Sequence, residues 1–457
     1  MPRRNELTVA ANAGARLDRL PISSFHRRIL WLIGVGMFFD GFDIYVAAAV
    51  LGTTLKSGFS TLGQNAQFVS VTFVGMMLGA FLTGFLGDRY GRRFTYQANL
   101  AIFGLASIAA AFAPTMTVLI LLRLIMGAGL GAENVVGYAT MTEFVPPQAR
   151  GKWVGIVSVF VVAGLPATAL LGTLIIPRFG WRVMFVLGGV GAMVVWYLRK
   201  KLPESPRWLE SIGRNEDADA ILRAIELEVS LHHHPLPPPA PLPPAMPARG
   251  LGALLSPVLL PRMIVGATTL IVVNTLIFGF VTWLPTFFVQ EGRSIASSLL
   301  YSLVISLGAP IGSALGAFTA DSWGRKPSIV GASLLTILIG VFYPFVKDPA
   351  ILLMVGFLLM IPIYVLVTLL FAIYIPELFP TEVRMRASGI CNTFGRGATI
   401  VTPFIVVALF RSYRVGGVVA FLIALLIVQI FVVLRFGVEP KKRRLEEIDS
   451  QATVGTA

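Results

Sequence analysis

The sequence predicts an all-α membrane protein: twelve transmembrane helices in two pseudo-symmetric six-helix bundles, with both termini in the cytosol. Three observations carry this. The 457 residues are 56% hydrophobic and only 13% charged, where a soluble domain carries roughly a quarter charged residues. Apolar runs of about 20 residues recur along the chain, long enough to cross a hydrocarbon core of ~30 Å as helices. No barrel-type alternation accompanies them, and a lipid-embedded backbone must satisfy its own hydrogen bonds, so helices are what remains. The chain also repeats itself. Asp88-Arg89-Tyr90-Gly91-Arg92-Arg93 returns as Asp321-Ser322-Trp323-Gly324-Arg325-Lys326, and Glu143-x-x-Pro146-x-x-x-Arg150 returns as Glu377-x-x-Pro380-x-x-x-Arg384. The offsets are 233 and 234 residues, so one six-span unit is duplicated.

The first bundle, 28–200, takes spans 29–55, 66–87, 94–113, 117–143, 152–176 and 181–200. The second, 263–436, takes 263–289, 295–320, 327–346, 350–375, 386–410 and 415–436. Residues 1–27 form a polar, Arg-rich cytosolic segment, and the first apolar run is too long for a cleaved signal. Residues 437–457 form a cytosolic tail. Between the bundles lies a cytosolic linker, 201–262. Its first part, Pro206 to Leu231, has a helical pattern of mixed charge. Its second part, His232-His233-His234 and the Pro-rich run to Pro247, reads as extended and poorly ordered. No cysteine or carboxylate stands near the three histidines, so a solvated linker is expected and no metal site.

Orientation follows from the basic residues. With the termini inside, the outer loops carry only Lys56, Arg178, Arg182, Arg293, Lys347, Arg411 and Arg414 of the 37 Lys and Arg, which obeys the positive-inside rule. The net charge of +14 is then a topology signal, and nucleic-acid binding is not expected. Pro166, Pro285, Pro310, Pro362 and Pro403 fall inside spans, where each removes a backbone bond and marks an expected bend. The one cysteine, Cys391, excludes an intramolecular disulfide.

Gly84-x-x-x-Asp88-Arg89-x-Gly91-Arg92-Arg93 between spans 2 and 3 matches the signature loop of the major facilitator superfamily, and the resemblance covers the whole chain. Chemically, Asp88 accepts hydrogen bonds from a helix N-terminus or an Arg, and Gly91 permits the tight turn. In that family such loops latch the cytosolic side. The second copy has Ala317 where the leading glycine stood. Pro203-Glu204-Ser205-Pro206-Arg207 and Pro376-Glu377-Leu378-Phe379-Pro380 resemble sugar-porter and organic-ion transporter signatures. By that resemblance the cytosolic gate comprises Asp88, Arg89, Gly91, Arg92, Asp321 and Arg325. A charge network of Glu143, Arg150, Glu204, Arg207, Glu377 and Arg384 joins it.

Five ionisable residues lie well within spans: Asp40, Asp43, Arg123, Glu133 and Arg396. Each costs roughly 2.5–3.5 kcal/mol or more in lipid, so each is a functional candidate. At ~1.5 Å per residue, Asp40, Glu133 and Arg396 come out near the midplane. Asp40 and Asp43 share a helix face. Asp-Gly-Phe-Asp resembles the aromatic-acid/proton symporters, and Arg123-x-x-x-Gly127-x-Gly129-x-Gly131 resembles the superfamily's proton-coupling motif. This resemblance implies that Asp43 pairs with Arg123 and exchanges it for a proton; a permanent structural pair is the alternative. Glu133 is similar in context to a residue of the nicotinate porters. It is a second proton carrier, a partner for a substrate ring nitrogen, or a structural bond to a neighbouring helix.

Arg396 is the expected substrate anchor. Its planar fork suits a carboxylate, Asn392 lies one turn earlier, and spans 7–12 hold no acid to neutralise it. The competing reading pairs Arg396 with Asp40 or Glu133. Trp283, Tyr364, Phe39 and Tyr45, with Phe278 and Phe371, are candidate walls, since flat rings stack on aromatic ligands, and Asn274 of span 7 is a further substrate-binding candidate. The expected function is proton-coupled uptake of a small aromatic monocarboxylate such as nicotinate or a benzoate. Alternatives are a sugar or polyol porter, a drug or organic-ion exporter, and a ligand-sensing receptor on the same fold. Spans 5 and 7 hold no glutamine, which counts against a polyhydroxyl ligand, and Arg396 counts against a cationic one. No P-loop is found and the four histidines, at 26 and 232–234, lie outside the spans. Neither an enzyme nor a cofactor is expected, and the proton gradient is the energy source. A monomer in a bacterial inner membrane fits best.

Overall fold

The computed structural model describes residues 12–231, 235–239, 254–379 and 383–439. Every regular element among them is helical. In the first half α1 is Ala13–Asp18, α2 Ser24–Lys56, α3 Leu62–Tyr90, α4 Arg92–Ala111, α5 Met116–Phe144, α6 Pro147–Phe179 and α7 Arg182–Leu198. The linker contributes α8 Pro206–Ser211 and α9 Asn215–Ser230. In the second half α10 is Leu259–Gly279, α11 Leu284–Gln290, α12 Ile295–Ser306, α13 Gly308–Ser322, α14 Arg325–Phe342, α15 Pro349–Thr368, α16 Ile375–Glu377 and α17 Arg384–Phe436.

Ten helices of the described residues are long and apolar enough to cross a membrane, and Arg182–Leu198 is a shorter apolar one. Within α17, Arg414 has φ 55° and ψ −154°, values no helix accommodates. It divides α17 into two arms at the loop expected between spans 11 and 12. With that break and α7, the element order has room for the twelve expected spans. Span 7 is not one helix: α10 ends at Gly279, a 3-10 turn covers Val281–Trp283, and α11 starts just before Pro285. Span 8 is likewise divided at Leu307, three residues before Pro310, and Leu369–Tyr374 after Pro362 forms a π-turn. The missing N–H groups of Pro285 and Pro310 account for the breaks in spans 7 and 8.

The duplicated unit packs in the same way twice. On α3 and α5, a Cβ at Gly75 or Gly79 would strike the Leu124 or Ala128 carbonyl, and one at Gly127 or Gly131 the Thr72 or Met76 carbonyl. In the second half Gly308, Gly312 and Gly316 on α12–α13 play that part against Phe357, Ile361 and Val365 of α15. Lipid offers helices no hydrophobic drive to associate, so four-residue spacing of small side chains that lets backbones touch is what holds such pairs. Outward-facing rings such as Phe81, Phe112, Phe179, Phe318 and Phe345 are 67–77% exposed. Apolar exposure on that scale suits hydrocarbon, not water.

The two halves meet toward the end that bears Lys56 and Arg293. There the Lys56 ammonium donates to the Arg293 carbonyl at 3.5 Å, and Gly52 lies against Pro285 and Val289. Deeper, Tyr45 and Tyr364 hydroxyls are 3.1 Å apart, Phe73 meets Phe278 edge-on at 4.4 Å, and Ser70 donates to the Ile400 carbonyl at 2.8 Å.

Candidate functional site

The buried charges of the first half form a line on α2. At one end, Arg123 of α5 pairs with the Asp43 carboxylate, and donates to the Asp43 carbonyl at 2.9 Å and to Thr72 at 2.9 Å. It also lies over the Phe68 ring at 5.0 Å. Both partners are 1% exposed, so the pairing that resemblance implied is present in the structure. At the other end Glu133 pairs with Arg199, a residue the sequence leaves at the edge of span 6, outside the set of membrane charges. Arg199 also donates to the Leu32 and Ile33 carbonyls at 2.8 and 3.0 Å and stacks on Tyr96 at 4.6 Å. Gly36 opens the space, since a Cβ there would run into the Arg199 guanidinium. The readings that paired Arg396 with Asp40 or Glu133 are thereby corrected: Glu133 is taken by Arg199, and neither acid bonds Arg396.

Asp40 lies between these pairs, one turn from Asp43 and one turn from Gly36. It is wholly buried, and neither carboxyl oxygen has a hydrogen-bond partner among the described residues. Groups of this kind are rare in folded proteins because desolvation goes uncompensated.

Arg396 sits on α17 where the halves meet. It is partly buried and donates to the Met76 carbonyl of α3 at 3.3 Å. No carboxylate pairs with it among the described residues. Asn274 of α10 lies beside Gly395, one residue from Arg396, but its amide nitrogen donates to the Leu270 carbonyl of its own helix at 2.7 Å. Asn392 likewise donates to Ser388 on its own helix at 2.9 Å. Tyr45 and Tyr364 join the halves through their hydroxyls. Trp283 is buried and stacked on Phe287, its indole N–H without an acceptor among the described residues. Phe39 is not brought to this group: it turns toward α7, where Gly191 makes room for its ring. Phe371 is 39% exposed. Periodicity does not distinguish a ring facing the centre from one facing the next helix, and only packing places them.

At the Gly91 end the repeat is visible in three dimensions. Gly91 and Gly324 take φ 93° and 105°, conformations only glycine adopts without strain. Each opens a helix whose first N–H groups are capped by a carboxylate. Glu204 accepts from Arg92 N–H at 2.9 Å. Glu439 accepts from Arg325 and Lys326 N–H at 3.0 and 2.8 Å. The Arg92–Glu143 pair at 3.3 Å and the Arg325–Glu377 pair at 2.8 Å repeat as well. Glu439 stands 235 residues after Glu204, within two residues of the repeat offset, in the segment expected as a cytosolic tail. Arg207 pairs with Asp18 at 2.6 Å and donates to the Glu143 carbonyl at 3.1 Å. Arg89 is exposed and lies over Tyr90 at 5.4 Å. The side chains of Asp88, Arg150, Asp321 and Arg384 lie outside the described residues, as do His232–His234.

The expected polar N-terminal segment is folded from Asn12 onward. Glu210 caps α1 by accepting from Asn12 and Ala13 N–H at 2.7 and 2.9 Å. Arg16 binds Asp219 at 2.6 Å and Glu226 at 2.7 Å, and Arg19 binds Glu226 at 2.6 Å. The hydrogen bond from Arg16 holds Asp219 below its ordinary value of 3.8. Burial pushes Glu226 up, and the bonds from Arg16 and Arg19 outweigh it, leaving it below 4.5. These four residues strap the N-terminal segment to α9, and none of them stands out in the sequence, because ion pairs some 200 residues apart have no local signature.

Residues 33–403 match the Major Facilitator Superfamily. The chain is 37% identical over 446 residues to the inner membrane metabolite transport protein YdjE of Escherichia coli, covering 95% of this chain and 98% of that protein. It is 30% identical over 394 residues to the niacin transporter NiaP of Acinetobacter baylyi, covering 86% and 89%. The inward-open conformation of the xylose transporter XylE from E. coli superposes with TM-score 0.71 at 18% identity, covering 93% of this chain and 99% of that one. At that identity the likeness is one of fold. These matches, the duplicated turns at Gly91 and Gly324 and the line of buried charges agree: the chain is a multi-pass membrane transporter, not an enzyme, and belongs to the major facilitator superfamily.

Proposed function

We propose that this protein takes up a small aromatic monocarboxylate of the nicotinate or benzoate kind together with protons, by alternating access of a site between the two halves. The observation that carries the reading is Arg396. A guanidinium at the seam of the halves, bonded to a backbone carbonyl and to no carboxylate among the described residues, has fork capacity left for an anion. The relative named a niacin transporter supports the substrate class, since nicotinate is such an anion. Asp43 with Arg123 supplies proton coupling: the pair separates when Asp43 takes a proton and re-forms when it releases one. Asn274 and Asn392, beside or one turn from Arg396, reach the ligand once their intrahelical bonds open, and Trp283 and Tyr364 offer flat faces. The Gly91 end is cytosolic, the Lys56 end faces outward, and the protein acts as a monomer in a bacterial inner membrane. A polyhydroxyl ligand fits less well, because spans 5 and 7 hold no glutamine to supply neutral hydrogen-bonding groups.

The test is uptake into proteoliposomes of labelled nicotinate, benzoate, 4-hydroxybenzoate, a hexose and an organic cation, with and without an acid-outside gradient. Gradient-driven accumulation of one carboxylate is expected. Accumulation of the hexose or the cation instead would reject the reading and make Arg396 structural.

A further inference from the structure

The charges along α2 do not balance as drawn. Two guanidiniums, Arg123 and Arg199, face three acids, Asp43, Asp40 and Glu133. Asp43 and Glu133 each hold an arginine. Asp40 is the third acid, fully buried, with no donor to either oxygen among the described residues. Glu133 also keeps one oxygen, Oε2, without a partner among them. The charged groups acting on Asp40 are Glu133 of α5, Arg199 at the end of α7 and Asp43 of its own helix. Tyr138 of α5 also lies near, its hydroxyl bonded to Ser158 of α6 at 3.2 Å. An ionised carboxylate buried without donors or a cation of its own is far costlier than a neutral carboxyl.

We infer that Asp40, Glu133 and Arg199 form a proton-binding triad separate from the Asp43–Arg123 pair, holding one proton, which in this conformation resides on Asp40. The two acids compete for one guanidinium. Whichever acid holds Arg199 is ionised, and the other keeps the proton. Gly36 leaves the Arg199 guanidinium room against α2, one turn from Asp40, so a small swing hands it from Glu133 to Asp40. Asp40–H then gives its proton to Glu133 or to water as the O–H bond breaks. The net charge of the triad is zero before and after a transfer to Glu133. Release to water leaves it at −1 until another proton arrives. The use of this proton in transport rests on the proton-coupled reading above; its presence does not.

Infrared difference spectroscopy on the purified full-length protein in lipid nanodiscs reads the proton directly, through the stretching band of a protonated carboxyl. At neutral pH the wild type is expected to show that band. Asp40→Asn removes it, because Glu133 stays ionised on Arg199. Glu133→Gln also removes it, because Arg199 turns to Asp40 and ionises it. Arg199→Met enlarges it about twofold, because both acids then need a proton. A band that survives Asp40→Asn would overturn the inference, as would no band in the wild type. A band lost when sodium replaces choline would assign a metal cation instead and overturn it too. Monodispersity of each variant checks folding; if Arg199→Met fails to fold, the two acid variants decide alone. Proteoliposome uptake separates the two proposals. A band that behaves as stated with no proton-driven uptake leaves the triad standing and removes the coupling. Proton-driven uptake with a band indifferent to Asp40→Asn does the reverse.

Discussion

Arg199 reaches from the end of α7 to Glu133 on α5, and the two form an ion pair with side-chain exposures of 0% and 2%. The guanidinium also binds two carbonyls of α2, so one side chain fastens three helices of the first bundle. Breaking such a pair from one side leaves the other partner buried without compensation, at a cost of about 3–5 kcal/mol. Arg199→Met is therefore expected to lower unfolding free energy by about 3 kcal/mol or more, measured by denaturant titration in detergent. Arg199→Lys should recover less than half, because an ammonium cannot reach three acceptors with a planar fork. A midpoint equal to wild type in both variants would mean the pair contributes nothing to the bundle.

Arg396 is expected to matter for ligand and not for folding. Hydrogen bonds to charged groups contribute about 1.5–3 kcal/mol, so Arg396→Ala should weaken carboxylate binding by roughly 10- to 100-fold. Binding is read by scintillation proximity, with the thermal midpoint as the folding control. Affinity retained within twofold would withdraw Arg396 from the substrate site.

Asp43→Asn keeps shape but removes the charge that holds Arg123. Accumulation against a gradient should fall to the level without a proton gradient, while counterflow exchange of preloaded substrate continues. Normal accumulation would take Asp43 out of coupling.

The N-terminal strap should respond to acid. Asp219 and Glu226 have folded values below their ordinary 3.8 and 4.5. The folded strap thus binds fewer protons than the released one, and its stability falls as the pH falls. The contribution is complete above the ordinary values and is lost as pH drops through the lowered ones. Limited proteolysis near Asn12 should stay slow at neutral pH and accelerate below pH ~4. Asp219→Asn with Glu226→Gln should accelerate cleavage at neutral pH. Cleavage independent of both pH and these substitutions would show that Arg16 and Arg19 do not hold the strap.

The sequence by itself determined the fold class, the duplicated halves, the turns at Gly91 and Gly324, and the membrane charges Asp40, Asp43, Arg123, Glu133 and Arg396. Composition and spacing report these directly, because lipid tolerates few charges and a repeat keeps its offset. It also placed the Asp43–Arg123 pairing through family resemblance. Only the tertiary structure decided who partners whom elsewhere. Arg199 stands at the edge of a hydrophobic run, where a cytosolic end and a buried anchor look alike in one dimension; the Gly36 notch draws it inward. Glu439 read as tail until the folded Gly324 turn showed a second helix start needing a cap. Phe39 and Phe278 both lie in long apolar helices, yet one fills the notch at Gly191 and the other meets Phe73 across the halves. A side chain's direction on a helix is set by the neighbour that yields room, and that neighbour is chosen only when the bundle packs.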